Sequence, residues 1–183
     1  MFYRVKQSLK VKAEYNFYEL DFPEVIKQRK KLLGEDEKEF LIEGDINNIE
    51  WIEQIADASL PTLMIASGVF QYFHRDELLE FLKKIKEKFP KGEIAFDATD
   101  KFGLKMANYF VRRTGNKSAT MYFYINNIQS FVKESQTQLL SYTTFFPDAL
   151  KILSKRIKST SRMLMYLGDK TKKAKLIHLK LNP

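Results

Sequence analysis

The sequence contains no cysteine, two histidines, and only seven glycines and five prolines in 183 residues. Without cysteine there is neither a disulfide framework nor a thiol nucleophile, and His74 and His178 are too far apart in sequence to build the usual zinc clusters. A redox or zinc enzyme is therefore a poor fit, and no metal site is expected. So little Gly and Pro, alongside 44% hydrophobic and 30% charged residues, excludes global disorder and fibrous repeats. Long apolar runs are also missing. Charges interrupt every apolar stretch of the opening MFYRVKQSLKVKAEYNF, and no run approaches the roughly 18 residues of a spanning helix. The expectation is a soluble, cytoplasmic protein with no transmembrane segment. A Gly-rich phosphate loop is absent too, which argues against a self-contained ATPase or a standard intact dinucleotide-binding domain.

Charge is plentiful, with 31 Lys plus Arg against 23 Asp plus Glu and a formal net charge of +8. Much of it lies in helix-like segments. Lys83, Lys84, Lys86 and Lys88 share a stretch with Glu80 and Glu87, and Lys151, Lys155, Arg156 and Lys158 alternate with Leu150, Ile152, Leu153 and Ile157. Solvated helix faces explain this pattern. No phosphate-reading or base-stacking module accompanies the charges, so nucleic acid is not the favoured partner. A basic surface at 151–175 for RNA or phospholipid stands as a third reading.

Short apolar runs alternate with longer amphipathic ones, which is an α/β pattern, and the length suits one domain over 1–183. Strands are expected at Asn16–Leu20, Glu39–Glu43, Thr62–Ala66, Glu93–Thr99, Thr137–Phe145 and Ala174–Leu181. The LMIA core of the third reads as buried in mid-sheet. Helices are expected from Pro23 to Leu33, where Pro suits a first turn and Gly34 ends the run. Others follow after Arg75, with Leu78, Leu79, Leu82, Ile85 and Phe89 on one face, then over 101–114, at Asn126–Glu134 and from Pro147. After the second strand, Trp51, Ile52, Ile55 and Ala56 supply an apolar face. No repeat, low-complexity region or linker divides the chain.

Strand ends in an open α/β sheet form ligand crevices. The segments ELD at 19–21, GDI at 44–46, ASG at 66–68 and DATD at 97–100 set acids, small residues and backbone polar groups on successive crests. That arrangement suits a nucleoside-like ligand, with Asp21 toward ribose hydroxyls and polar groups around Asp45 and Ile46 toward the base edge. Each residue also has a plainer reading. Asp21 fits a helix cap and Asp45 a turn, Gly44 and Gly68 ease backbone geometry, and Asp97 and Asp100 fit turn and capping positions better than a metal site or proton relay. His74 reads as a solvated or capping residue and His178 as a strand residue. No Ser-His-acid order is present. The aromatic run YFYI at 122–125, with Phe131, Phe145 and Phe146, fits either an acceptor pocket or core packing.

The stretches FYELDFPEVIKQRKKLL, LIEGDINNIEWIEQI, PTLMIASGVFQYFHRDELLEFLKKI and GEIAFDAT, in this order, resemble the class I S-adenosylmethionine-dependent methyltransferases of the leucine carboxyl methyltransferase and polyketide O-methyltransferase group. The resemblance implies a Rossmann-like methyltransferase fold and S-adenosylmethionine as cofactor. It implies that Asp21 contacts ribose, that Asp45 and Ile46 border adenine, and that Ser67 stands where relatives often carry an acid. Serine is shorter and supplies no carboxylate. Relatives place a first strand and a glycine-rich cofactor loop just before the segment resembling FYR at 2–4, and this sequence begins after that position. The expected sheet is therefore incomplete at its N-terminal side, with free backbone edges on the strands that flank the family's first strand. The implied activity is methyl transfer to a hydroxyl or carboxylate of a small molecule, with no general base identifiable. The alternative is a catalytically inactive remnant or interaction protein.

Overall fold

The computed structural model describes residues 15–35, 39–115, 119–145, 147–153, 156–171 and 173–183. Its contacts divide the chain into two units, one reaching to Ala56 and one running from Asp57 to Pro183.

In the first unit, strand β1 (Phe17–Asp21) pairs in parallel with β2 (Glu39–Glu43), in register from Phe17 opposite Glu39 to Asp21 opposite Glu43. Parallel neighbours need a crossover, and helix α1 (Pro23–Leu33) supplies it. Proline opens α1, where no donor is lost. Gly34, at φ 73°, closes it and donates its N–H to Lys30 O. Ile26, Ile42 and Ile52 are buried, the last in a 3₁₀ segment at Ile49–Gln54. Tyr18 and Phe40 stack across the strand pair with centroids 4.9 Å apart. Arg29 of α1 is buried, and its Nε donates to Glu19 at 2.9 Å while its Nη2 lies 2.5 Å from Glu39 Oε2. That second contact is ionic, without hydrogen-bond geometry. Burial works against the Arg29 charge, but Glu39 and Glu19 outweigh it and hold the guanidinium pKa above its ordinary value.

The second unit is built on a four-stranded mixed sheet of order β3-β4-β6-β5, comprising β3 (Thr62–Ala66), β4 (Gly92–Thr99), β5 (Gln138–Thr144) and β6 (Ala174–Lys180). β3 and β4 are parallel, whereas β6 runs antiparallel to both β4 and β5. Helix α2 (Arg75–Lys88) joins β3 to β4; α3 (Lys101–Arg113) and α4 (Ile128–Ser135) lie between β4 and β5; α5 (Pro147–Leu153) and α6 (Ser159–Lys170) lie between β5 and β6. Leu78, Phe81, Leu82 and Ile85 recur at helical spacing and are buried, as are alternate β4 residues Ile94, Phe96 and Ala98. Phe70, Phe73, Phe81, Phe96, Phe123 and Phe131 meet in a chain of edge and tilted ring contacts. Gly92 is required by close packing, because a Cβ there would sit 2.8 Å from Leu181 Cδ1 and 3.0 Å from Phe89 O.

Two expectations need correction. The LMIA segment is not buried in mid-sheet. Leu63 is 55% exposed and Ile65 42%, and only Ala66 of β3 is buried. The reason is position, since among the described residues β3 has β4 as its one strand partner, and the face carrying Leu63 and Ile65 stays open. β1 likewise pairs with β2 alone. The second correction concerns Leu79, Ile55 and Ala56, which do not enter the core; Leu79 and Ile55 are half-buried and Ala56 is exposed. Helix α6 was not foreseen, and Phe146 lies outside the described residues.

Candidate functional site

The carboxyl ends of β1 and β2 form one crest. Asp21 is the last residue of β1 and is exposed, with one carboxylate oxygen taking the Phe22 N–H at 2.8 Å. Phe22, not Asp21, is the N-cap of α1, so the aspartate is tied only to its neighbour and keeps an oxygen without a partner among the described residues. Gly44 N–H donates to Asp21 O at 3.0 Å, which brings the 44–47 turn beside Asp21. Asp45 holds that turn, its Oδ1 accepting both the backbone N–H and the side-chain amide of Asn47 at 2.9 Å. Ile46 is half-buried, and Trp51 Nε1 approaches its carbonyl at 3.5 Å. Asp21, Asp45 and Ile46 are thus brought together.

Ser67 belongs to the second unit, where it follows β3 and is exposed. Gly68 comes next at φ 70°, a left-handed conformation that favours glycine. Its N–H donates to Asp97 of β4, so Asp97 ties two neighbouring strand ends together. Asp100 caps α3 by accepting the Gly103 N–H at 2.7 Å. Asp100 therefore does the capping work its position predicts, whereas Asp97 makes a long-range tie in place of a local turn. Among the described residues, no group of three or more His, Asp or Glu side chains is placed to hold a metal ion. The two crests lie in separate units.

The histidines follow their plainer readings. His74 precedes α2 and donates its backbone N–H to Glu77 at 2.7 Å, while its ring stacks on Tyr122 at 4.1 Å. His178 Nε2 pairs with Glu93 at 2.8 Å across the β4–β6 ladder. Part of the aromatic run packs in the core, with Phe123, Ile125 and Phe131 buried. Residues 122–125 run extended along the crest end of β4, tied by Tyr122 N–H to Gln71 O at 2.7 Å and Ile125 N–H to Thr99 O at 2.8 Å. Phe123 and Ile125 are buried, and all four residues from Tyr122 to Ile125 line a cleft of about 340 Å³.

Sequence reasoning missed the Arg75–Glu134 pair at the edge of that cleft. Arg75 Nε donates to Glu134 at 3.1 Å, and its Nη2 makes a short contact to the other oxygen. The Arg75 hydrogen bond is the main cause holding the Glu134 carboxyl below the usual carboxylate range. The partners are 59 residues apart, so no local signal connects them.

Residues 1–86 match the family model for leucine carboxyl methyltransferase. The resemblance is to that family. The tetracenomycin polyketide synthesis O-methyltransferase of Streptomyces glaucescens is 28% identical over 99 residues, covering 53% of this chain and 36% of that protein. The matched stretch is thus little more than a third of the curated relative's length. Among solved structures, a protein described as a methyltransferase from Thermobifida fusca superposes with a TM-score of 0.65 at 14% identity, covering 99% of this chain and 68% of that one. LepI in complex with SAM gives 0.59 at 9% identity, covering 98% and 39%. At such identities these likenesses establish the fold, which is the Rossmann-like α/β fold of the class I methyltransferases. Like the leucine carboxyl methyltransferase family match, the crest residues lie in the first part of the chain. Among the described residues no helix is long and apolar enough to cross a membrane.

Proposed function

We infer that the chain is part of an S-adenosylmethionine-dependent O-methyltransferase acting on a small molecule. The observation that carries this reading is the β1–β2 crest. An exposed Asp21 with an uncommitted oxygen stands beside a half-buried Ile46 and a turn locked by Asp45. These groups fit the cofactor's nucleoside. Asp21 accepts hydrogen bonds from a ribose diol, and Ile46 offers an apolar edge to adenine. Bound S-adenosylmethionine supplies an electrophilic methyl group, and the protein's part is to bind it, orient the acceptor oxygen in line and exclude water. A carboxylate acceptor is already ionised near neutral pH, whereas a hydroxyl calls for a base.

Calorimetry with S-adenosylmethionine tests the cofactor assignment, on this chain and on a version extended upstream. Asp21→Ala is expected to weaken binding about tenfold or more, since a hydrogen bond to a charged group contributes roughly 1.5–3 kcal/mol. Failure of both versions to bind would sink the assignment. The second reading, a nonenzymatic interaction protein, is favoured by β3, which has a partner on one side only among the described residues and exposes Leu63 and Ile65. Methyl transfer by this chain would exclude it.

A further inference from the structure

The outer face of α3 has no part in the cofactor reading, and its chemistry is that of a surface that meets lipid. We propose that this face docks the protein on an anionic phospholipid membrane, lying in the interface without crossing it. This goes beyond the methyl-transfer reading and does not depend on it.

Burial and one side-chain pairing fix how α3 is turned. Leu104 is buried, and one turn on, the Asn108 side chain donates to Met121 O at 2.8 Å and accepts the Met121 N–H at 2.9 Å. With Leu104 and Asn108 inward, helical spacing gathers Phe102, Met106, Tyr109 and Phe110 on the outer side. All four are exposed, by 39 to 59%. A helix that only covers a sheet carries polar residues on that side. The charges beside the stripe have one sign. Lys101, Lys105 and Arg112 follow at helical spacing along one margin, and Arg113 reaches over the Tyr109 ring to donate to its hydroxyl at 3.0 Å. No acid occurs between Asp100 and Glu134.

The rest of the chain reinforces that sign. Of the 31 basic and 23 acidic residues, positions 1–100 hold 15 and 20, whereas positions 101–183 hold 16 and only three, Glu134, Asp148 and Asp169. The positive surplus therefore belongs wholly to the second part of the chain. Its densest stretch, 151–175, ends beside α3, where the Asp100 N–H donates to Lys173 O at 2.9 Å and Lys173 Nζ sits 3.6 Å over the Phe102 ring.

An apolar stripe edged by cations is complementary to an anionic bilayer, whose headgroup phosphates pair with the cations while the rings and Met106 enter the acyl boundary. RNA would satisfy the cations but leave the stripe in water. A second copy would bring the same cations against these ones.

Co-sedimentation of the full chain with vesicles tests this, using pure phosphatidylcholine and a mixture with about one-third phosphatidylserine. Binding to the anionic vesicles is expected to be at least about tenfold stronger than to the neutral ones, and to be lost near 1 M salt, where screening acts within about 3 Å. Lys105→Gln with Arg112→Gln should weaken it about twenty-fivefold, at about fivefold per charge near the surface. Phe102→Gln with Phe110→Gln should weaken it about tenfold or more, because two large apolar groups no longer enter the interface. Leu32→Gln, at an exposed apolar position of the first unit, should leave binding unchanged. Circular dichroism on each variant confirms that it is folded. Equal binding to both vesicle types, binding unmoved by either double variant, or an equal loss with Leu32→Gln overturns the proposal. So does wild-type protein that ignores vesicles, whether it binds single-stranded RNA or dimerises through α3 instead.

Discussion

Replacing Arg29 by alanine should unfold much of the first unit's margin of stability. The side chain is 7% exposed, Glu39 is 3% exposed and Glu19 26%. Removing the guanidinium leaves Glu19 within reach of water, but it strands the Glu39 carboxylate inside the protein and frees the Gly34 carbonyl, which accepts from Nη1 at 2.5 Å. Breaking a buried pair from one side costs about 3–5 kcal/mol, a large share of the usual 5–15 kcal/mol of a domain. With a urea dependence near 2 kcal/mol per M, the midpoint should fall by about 2 M. Trp51, the chain's one tryptophan, lies in the same unit and reports the transition by fluorescence. The double variant Arg29→Met with Glu39→Leu removes both charges together, and should recover to within about 1–2 kcal/mol of wild type, because apolar replacement of a buried pair is often neutral. The pH dependence has a definite sign. A base whose folded pKa is raised contributes stability below its unfolded pKa and loses it only as pH rises through the folded value. For Arg29 both lie far above neutrality, so the deficit should be the same at pH 6 and pH 9. A midpoint shift equivalent to under about 1 kcal/mol, or a double variant no better than Arg29→Ala, would refute the reasoning.

Gly92→Ala forces a Cβ against Leu181 and the Phe89 backbone, and should cost about 1–3 kcal/mol, read as a fall of several degrees in Tm. The Glu134 carboxyl is held below the usual range by Arg75, so its contribution is present above that range and disappears as pH falls through the depressed value. Both partners are about 40% exposed, so Glu134→Gln should cost no more than about 1 kcal/mol at pH 7 and nothing once wild type is protonated. Leu63→Lys and Ile65→Lys, on the open face of β3, should stay within about 0.5 kcal/mol in urea melts and reduce self-association in sedimentation; a loss above about 2 kcal/mol would show that the face is covered.

Local punctuation made most of the elements legible. Pro23 and Gly34 bracket α1, and β2 and β3 fall where their apolar runs do. Helix α6 was overlooked although Met163, Tyr166 and Leu167 recur at helical spacing, because basic residues dominate the reading of that region. Met163, Tyr166 and Leu167 are exposed, so burial did not reinforce the pattern. In the candidate site, the turn chemistry of Asp45 and the capping role of Asp100 were readable from residue type and spacing. The tie from Gly68 to Asp97 was not, since it needs β3 and β4 in parallel register and the partners are 29 positions apart.

Sequence alone determined the α/β alternation, the order of the strands along the chain and the acids at the strand ends, because hydrophobic period and capping chemistry act within a few residues. Tertiary structure decided what depends on distant partners. Among the described residues it left β3 with β4 as its one strand partner although its composition suits a sheet centre, since burial is set by neighbours and not by the strand itself. It placed Arg29 between two glutamates from different strands, and it closed the Tyr122–Ser130 cleft with an arginine from α2 whose charge Glu134 cancels. Such arrangements arise when the chain returns on itself, and no local window of residues contains them.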